Sequence, residues 1–176
     1  LADLNITAGS LTVSGGTVNI ADELDVSGGT IKQTGGTINI ASYTGSGQGS
    51  SSNKFDMDAG TLNLTAGTLN LKGQASSSYD AMNIASGVTV NANADHTIAV
   101  VSTGSNDEDI YLELNGNDIG SFTMNLGSKT ATFRSGGVVI KGDITLTSGI
   151  IDFGTADLNV SSNFTIPSGP GYDLSA

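Results

Sequence analysis

This sequence has no cysteine, no tryptophan, only two prolines and a single histidine, and it carries few positive charges. Without cysteine there are no disulfides, thiolate metal sites or cysteine nucleophiles. A single histidine, His96 in NADHT, rules out a cage of imidazoles and leaves one candidate base for any Ser-His-Asp arrangement. The short bend around it predicts an exposed loop histidine. Six Lys and Arg stand against 17 Asp and Glu, a net charge of −11, so the chain has too few cations to neutralise a nucleic acid or an anionic lipid surface. No apolar run approaches the roughly 20 residues of a membrane-spanning helix, and no apolar signal region precedes the first pattern residue, Leu4. A start at Leu1 without these features is what a piece of a longer chain would have. Neither GxGxxG opening a helix nor GxxxxGK[ST] occurs.

Glycine, by contrast, is abundant, at 25 of 176 residues, and it is placed regularly. Apolar pairs at Leu4/Ile6, Leu11/Val13, Val18/Ile20, Leu24/Val26 and Ile38/Ile40 each straddle one residue, the alternation of a short strand. Gly15-Gly16, Gly28-Gly29 and Gly35-Gly36 fall between pairs, where the chain must turn. The stretch from Phe55 to Gly73 repeats LNLTAGT and LNLKG after seven residues, and its Thr, Asn and Gly content excludes a coiled coil. Three strands per turn give a consistent grouping. First strands then begin at Leu4, Leu24, Phe55, Met82, Ile110, Val138 and Leu158. Second strands are those at Leu11, Ile31, Leu62, Val88, Ser121 to Leu126, Ile144 and Phe164, and third strands those at Val18, Ile38, Leu69, Thr97, Thr130 and Ile151. Extra residues sit after the third strand in three turns, 41–54, 72–81 and 102–109. Insertions confined to one corner are what a stacked coil tolerates.

The predicted fold is therefore all-β: a right-handed parallel β-helix, or β-solenoid, of about seven turns with three short strands each, near 30 Å long at about 4.8 Å per turn. A β-sandwich with glycine turns is the alternative. Residues 1–166 form one solenoid domain, and 167–176, with Pro167 and Pro170, a Pro/Gly tail or linker. A solenoid must cover its terminal turns. The first residues offer no cap, so a neighbouring domain covers that end or like ends stack into a filament.

With the apolar residues turned inward, function falls to the outward positions and the loops. Thr17, Asn19, Thr37, Asn39, Thr68 and Asn70 make an outward ladder, continued by Thr97 and Ala99. Such a ladder either holds the stack together or offers hydroxyls and amides to ordered water or sugars. Asp25 and Asp56 become neighbours on adjacent turns, about 5 Å apart. Like charges at that range imply a raised pKa or an intervening cation, with calcium held by Asp25, Asp56 and Asp58 as the metal hypothesis. No other cofactor is expected. A carboxylate pair also suits retaining glycoside hydrolysis, which would need a walled groove over it. The loops carry Tyr43, Tyr79 and the acidic Asp107, Glu108 and Asp109, a composition suited to adaptable recognition.

The phrases SGGTVNI (14–20), SGGTIKQTGGTINI (27–40) and AGTLNLTAGTLNL (59–71) resemble the repeats in β-helical regions of large exported bacterial surface proteins, the autotransporter-like, haemagglutinin-like and type 9-secreted adhesins. The resemblance covers Leu4 to Ile166. It implies an extracellular or cell-surface, non-catalytic structural and adhesive module. Such a module is a rigid rod whose partners are other domains of the same chain, neighbouring subunits, or a carbohydrate or protein receptor, with no nucleic acid and no membrane insertion. A carbohydrate-active β-helix enzyme and an ice-binding solenoid are the alternatives.

Overall fold

The computed structural model describes residues 1–40, 53–72, 78–101, 109–154, 156–166 and 174–175. Its strands, in chain order, are Leu4–Ile6 (β1), Ser10–Val13 (β2), Thr17–Asn19 (β3), Leu24–Val26 (β4), Thr30–Ile40 (β5), Phe55–Met57 (β6), Thr61–Lys72 (β7), Met82–Ile84 (β8), Thr89–Ala92 (β9), His96–Val101 (β10), Ile110–Glu113 (β11), Ser121–Phe133 (β12), Val138–Ile140 (β13), Ile144–Asp152 (β14), Leu158–Val160 (β15), Phe164–Thr165 (β16) and Leu174–Ser175 (β17). Among the described residues there is no helix, and hence none long and apolar enough to cross a membrane. The strands pair in parallel, 15 of them in one nearly closed sheet and β13 with β15 in a second. The architecture is that of a parallel β-solenoid.

Parallel neighbours far apart in sequence need a crossover between them, and here the crossover is the rest of a turn. Three stacks result. The first runs β1, β4, β6, β8 and β11, with Leu4, Leu24, Phe55 and Met82 in register. The second begins β2, β5, β7, β9, through Leu11, Ile31, Leu62 and Val90. The third is continuous through Asn19, Asn39, Asn70, Ala99, Thr123, Thr145 and Thr165. Strands β5, β7, β12 and β14 run around a corner and belong to two stacks each, which merges most strands into one sheet.

The expected grouping of faces fails at the fifth turn. Leu112, not Ile110, lies opposite Met82. Ser121 to Leu126, expected on the second face, continues the third: Ile98 pairs with Phe122, and Phe122 with Ile144. The end of β12, expected on the third face, instead lies on β11 in the first stack, pairing Ile110 with Ala131 and Leu112 with Phe133. The cause is the NGND corner. Asn115 and Gly116 both take positive φ (49° and 78°), and the backbone and side-chain amides of Asn117 both donate to Leu114 O. The chain then reaches its next corner at Gly120, leaving only Ile119, bridged to Ile140, on the second face. Val138 and Leu158, expected to start first-face strands, begin β13 and β15 and carry on that second face. Within the expected tail, the backbone of β17 pairs with β14, placing Ile151 opposite Leu174.

Inward residues form one continuous core of Leu, Ile, Val, Met and Phe. Burying each such side chain contributes about 1.5–3 kcal/mol. Three phenylalanines fill its later turns. Phe122 meets Phe133 edge-on across the interior at 5.4 Å, and Phe133 stacks on Phe153 at 5.2 Å. The bends repeat in register too: Gly9, Gly29 and Gly60 precede β2, β5 and β7 with φ of 82°, 93° and 108°. The carbonyls of Gly9 and Gly29 accept the N–H groups of Thr30 and Thr61 in the following turn, both at 2.9 Å.

Candidate binding surfaces

All three inserted segments leave after a third-stack strand and return before a first-stack strand, between β5 and β6, β7 and β8, and β10 and β11. Tyr43, Asp107 and Glu108 lie outside the described residues. The returning feet are described; the first two are joined in one network, and the third is bonded to the following turn. Asn53 Oδ1 accepts the Asp80 N–H at 2.8 Å, while its Nδ2 donates to Asp56 Oδ2 at 3.1 Å. Lys54, 2% exposed, pairs with Asp22, and its backbone N–H donates to Asp80 O. Arg134 lies 4.2 Å over the ring of Tyr111 and reaches Asp80 Oδ1 at 3.1 Å. Burial pushes the Asp80 carboxyl above its ordinary value, and the Arg134 guanidinium offsets part of that rise. Asp109 Oδ1 accepts the Thr130 N–H at 2.8 Å, which ties the third foot to the following turn. Tyr79 is half-buried beside Asp80.

Asp25 and Asp56 do come together, as register partners on β4 and β6. Burial raises the Asp25 carboxyl above its usual range, and the charges of Asp56 and Asp58 add to the effect. Asp56 is differently placed, because both its oxygens accept amide protons, one from Asn83 at 2.7 Å and one from Asn53. Among the described residues no three His, Asp or Glu side chains converge to hold a metal ion.

The outward ladder forms and extends beyond the expected four turns. Asn70 Nδ2 donates to Asn39 Oδ1 and Asn39 Nδ2 to Asn19 Oδ1, both at 2.7 Å, so the amides hold successive turns in register. A second amide pair, Asn91 to Asn63, does the same on the second stack at 2.8 Å. Beside the first ladder, Thr17, Thr37, Thr68, Thr97 and Ser121 are successive register partners about 4.8 Å apart.

The expectation of an exposed His96 is overturned: the side chain is fully buried. It opens β10 opposite Gly67, and its Nε2 lies 3.0 Å from Oε1 of the equally buried Gln33. The signal was present in IKQ, where Ile31 and Gln33 share the inward phase and a polar side chain therefore had to find a partner inside. Lys54 was hidden for a similar reason, since its long stem lets a corner residue be buried while its amine reaches Asp22.

No family model matches this sequence, and neither a curated protein nor a solved structure matches it significantly.

Proposed function

We propose that the chain is a non-catalytic structural and adhesive module of a secreted bacterial surface protein. In this reading a right-handed solenoid of about seven turns acts as a rigid rod and presents the three corner loops to a carbohydrate or protein receptor. The observation that carries it is the shared footing of those loops. Segments that enter at three different turns return through Asn53–Lys54, Asp80 and Asp109, and the feet are joined to one another or to the next turn by amide, carboxylate and guanidinium contacts. Tolerated insertions need no such network. A fixed base beneath loops of different length is an arrangement in which a rigid scaffold positions recognition residues. The test replaces 41–52, 73–77 and 102–108 with two-residue turns and measures adhesion to glycan and protein arrays. Retained folding with lost adhesion supports the reading, and full adhesion without the loops removes it.

The threonine and asparagine ladder supports a second reading, ordered water or ice as ligand. The register extends the outward file through Thr123, Thr145 and Thr165. Thermal hysteresis that disappears in Thr68→Arg, with the fold intact, supports it; its absence in the parent chain removes it.

A further inference from the structure

Gln33 and His96 stand 63 residues apart in sequence and meet in the interior of the coil. The Gln33 amide is fully specified by its surroundings. Its Nε2 donates to Gly36 O at 3.2 Å in its own turn and to Thr68 O at 3.0 Å in the next, using both protons. Gly67 leaves the space for this: a Cβ there would stand 2.9 Å from Gln33 Nε2. Oε1 is then left to face His96 Nε2 from one turn further on, and because it can only accept, Nε2 must carry the ring proton. Nδ1 is therefore a bare lone pair. It is buried and has no hydrogen-bond partner among the described residues. A second proton would place a charged N–H there with nothing to receive it, in surroundings that cannot solvate it.

We propose that Gln33 and His96 form an acid-sensitive latch, which holds β5, β7 and β10 together while the imidazole is neutral and releases them when it is protonated. Charged side chains of the surrounding elements leave the ring to its burial. Asp95, next in sequence, is exposed, as is Lys32 beside Gln33; on β7 Lys72 and on β12 Lys129 are half-buried. Lys141 Nζ is engaged by Ala92 O at 3.2 Å, and exposed Asp143 receives Ser162 and Asn163. Burial alone holds the His96 pKa down, at about 4 against 6.5 for the free side chain. A base whose folded value is depressed contributes its full stability above the unfolded value, and that contribution falls as the pH drops toward the folded one. The latch is closed at pH 7 and weakens between about 6.5 and 4.

With one histidine in the chain, labelled imidazole gives one set of NMR signals, in which the two ring nitrogens are assigned without overlap. The expected result is an Nε2–H tautomer that stays neutral in the folded protein to about pH 4, and titration near 6.5 while folded overturns the proposal. Independently, urea unfolding at pH 7 and 4.5 compares the parent with His96→Phe and Gln33→Leu. Acidification is expected to raise the parent's unfolding constant by about fifty-fold more than that of His96→Phe, in which the carboxylates still titrate. An equal response in the two overturns the latch. If His96→Phe does not fold, Gln33→Leu decides by hydrogen exchange in the parent's pH window. Protection in β5, β7 and β10 should be lost before that in β12 and β14 in the parent, and Gln33→Leu should show that loss already at pH 7. Uniform loss in the parent, or unchanged protection in the variant, contradicts it.

Discussion

Replacing Gly60 with alanine tests whether the turns are stacked as closely at the corners as along the strands. Gly60 has φ of 108°, a conformation that costs an L-residue about 1–2 kcal/mol. A methyl group there would also lie 2.2 Å from the carbonyl oxygen of Gly29 in the turn beneath, so backbone has to move. That oxygen accepts the Thr61 N–H at 2.9 Å, and disturbing the bond costs about a further 1 kcal/mol. Together the terms give a destabilisation of about 2–3 kcal/mol, plus whatever strain the displaced turn transmits to its neighbours. Gly87→Ala is the control. It meets nothing within 4 Å and has no positive φ, so the substitution is expected to be neutral or to stabilise by up to about 1 kcal/mol through the unfolded chain. Urea denaturation followed by circular dichroism reads both, with an unchanged slope showing that the same surface is exposed on unfolding. If Gly60→Ala falls within about 0.5 kcal/mol of Gly87→Ala, the close approach of successive corners is wrong.

Four further substitutions probe the outward ladder, the loop base and the carboxylate pair. Asn39→Ala removes the middle rung that donates to Asn19 and accepts from Asn70, and should cost about 1–2 kcal/mol in urea unfolding; Thr37→Ala alongside it, whose hydroxyl has no hydrogen-bond partner among the described residues, should cost less. Arg134→Met leaves the Asp80 carboxylate without its countercharge. The loss is expected near 2 kcal/mol at pH 7, below the 3–5 kcal/mol typical of a fully buried pair because the Arg134 side chain is 26% exposed. Asp25→Asn should raise the urea midpoint at pH 7. The sign follows from a folded-state pKa above the unfolded one: the ionised carboxylate opposes folding at neutral pH, and the gain should fade once both states are protonated, below pH 3.8.

Much of this architecture is legible in the amino-acid order because many of the short strands declare themselves twice, by an apolar pair around one outward residue and by a glycine corner after it. Leu4, Leu24, Phe55 and Met82 start first-stack strands in both sequence and structure. The reading slips at Ile110 for a definite reason. Ile110, Leu112 and Leu114 are all inward, so a shift of two residues keeps every side chain on its proper face, and the alternation cannot detect it. The NGND corner then shortens the second face to Ile119, so Ser121 to Leu126 joins the third stack, and the polar ladder that ended at Thr97 and Ala99 continues through Thr123. The carboxylate pair was legible because Asp25 and Asp56 lie before the slip. The amide protons from Asn53 and Asn83 that occupy Asp56 come from neighbouring turns and have no local signature. His96 shows the same limit: NADHT reads as a polar bend, and its burial is decided by Gln33 two turns earlier.

In a parallel stack each turn advances by one strand spacing. Spin labels at Asn19 paired with Thr123, Thr145 or Thr165 are four, five and six partners apart along the third stack. With about 4.8 Å per strand, pulsed electron resonance should return distances near 19, 24 and 29 Å, rising linearly once label length is allowed for. A series that levels off or turns back would mean that the strands fold onto one another as a sandwich, and would contradict the solenoid.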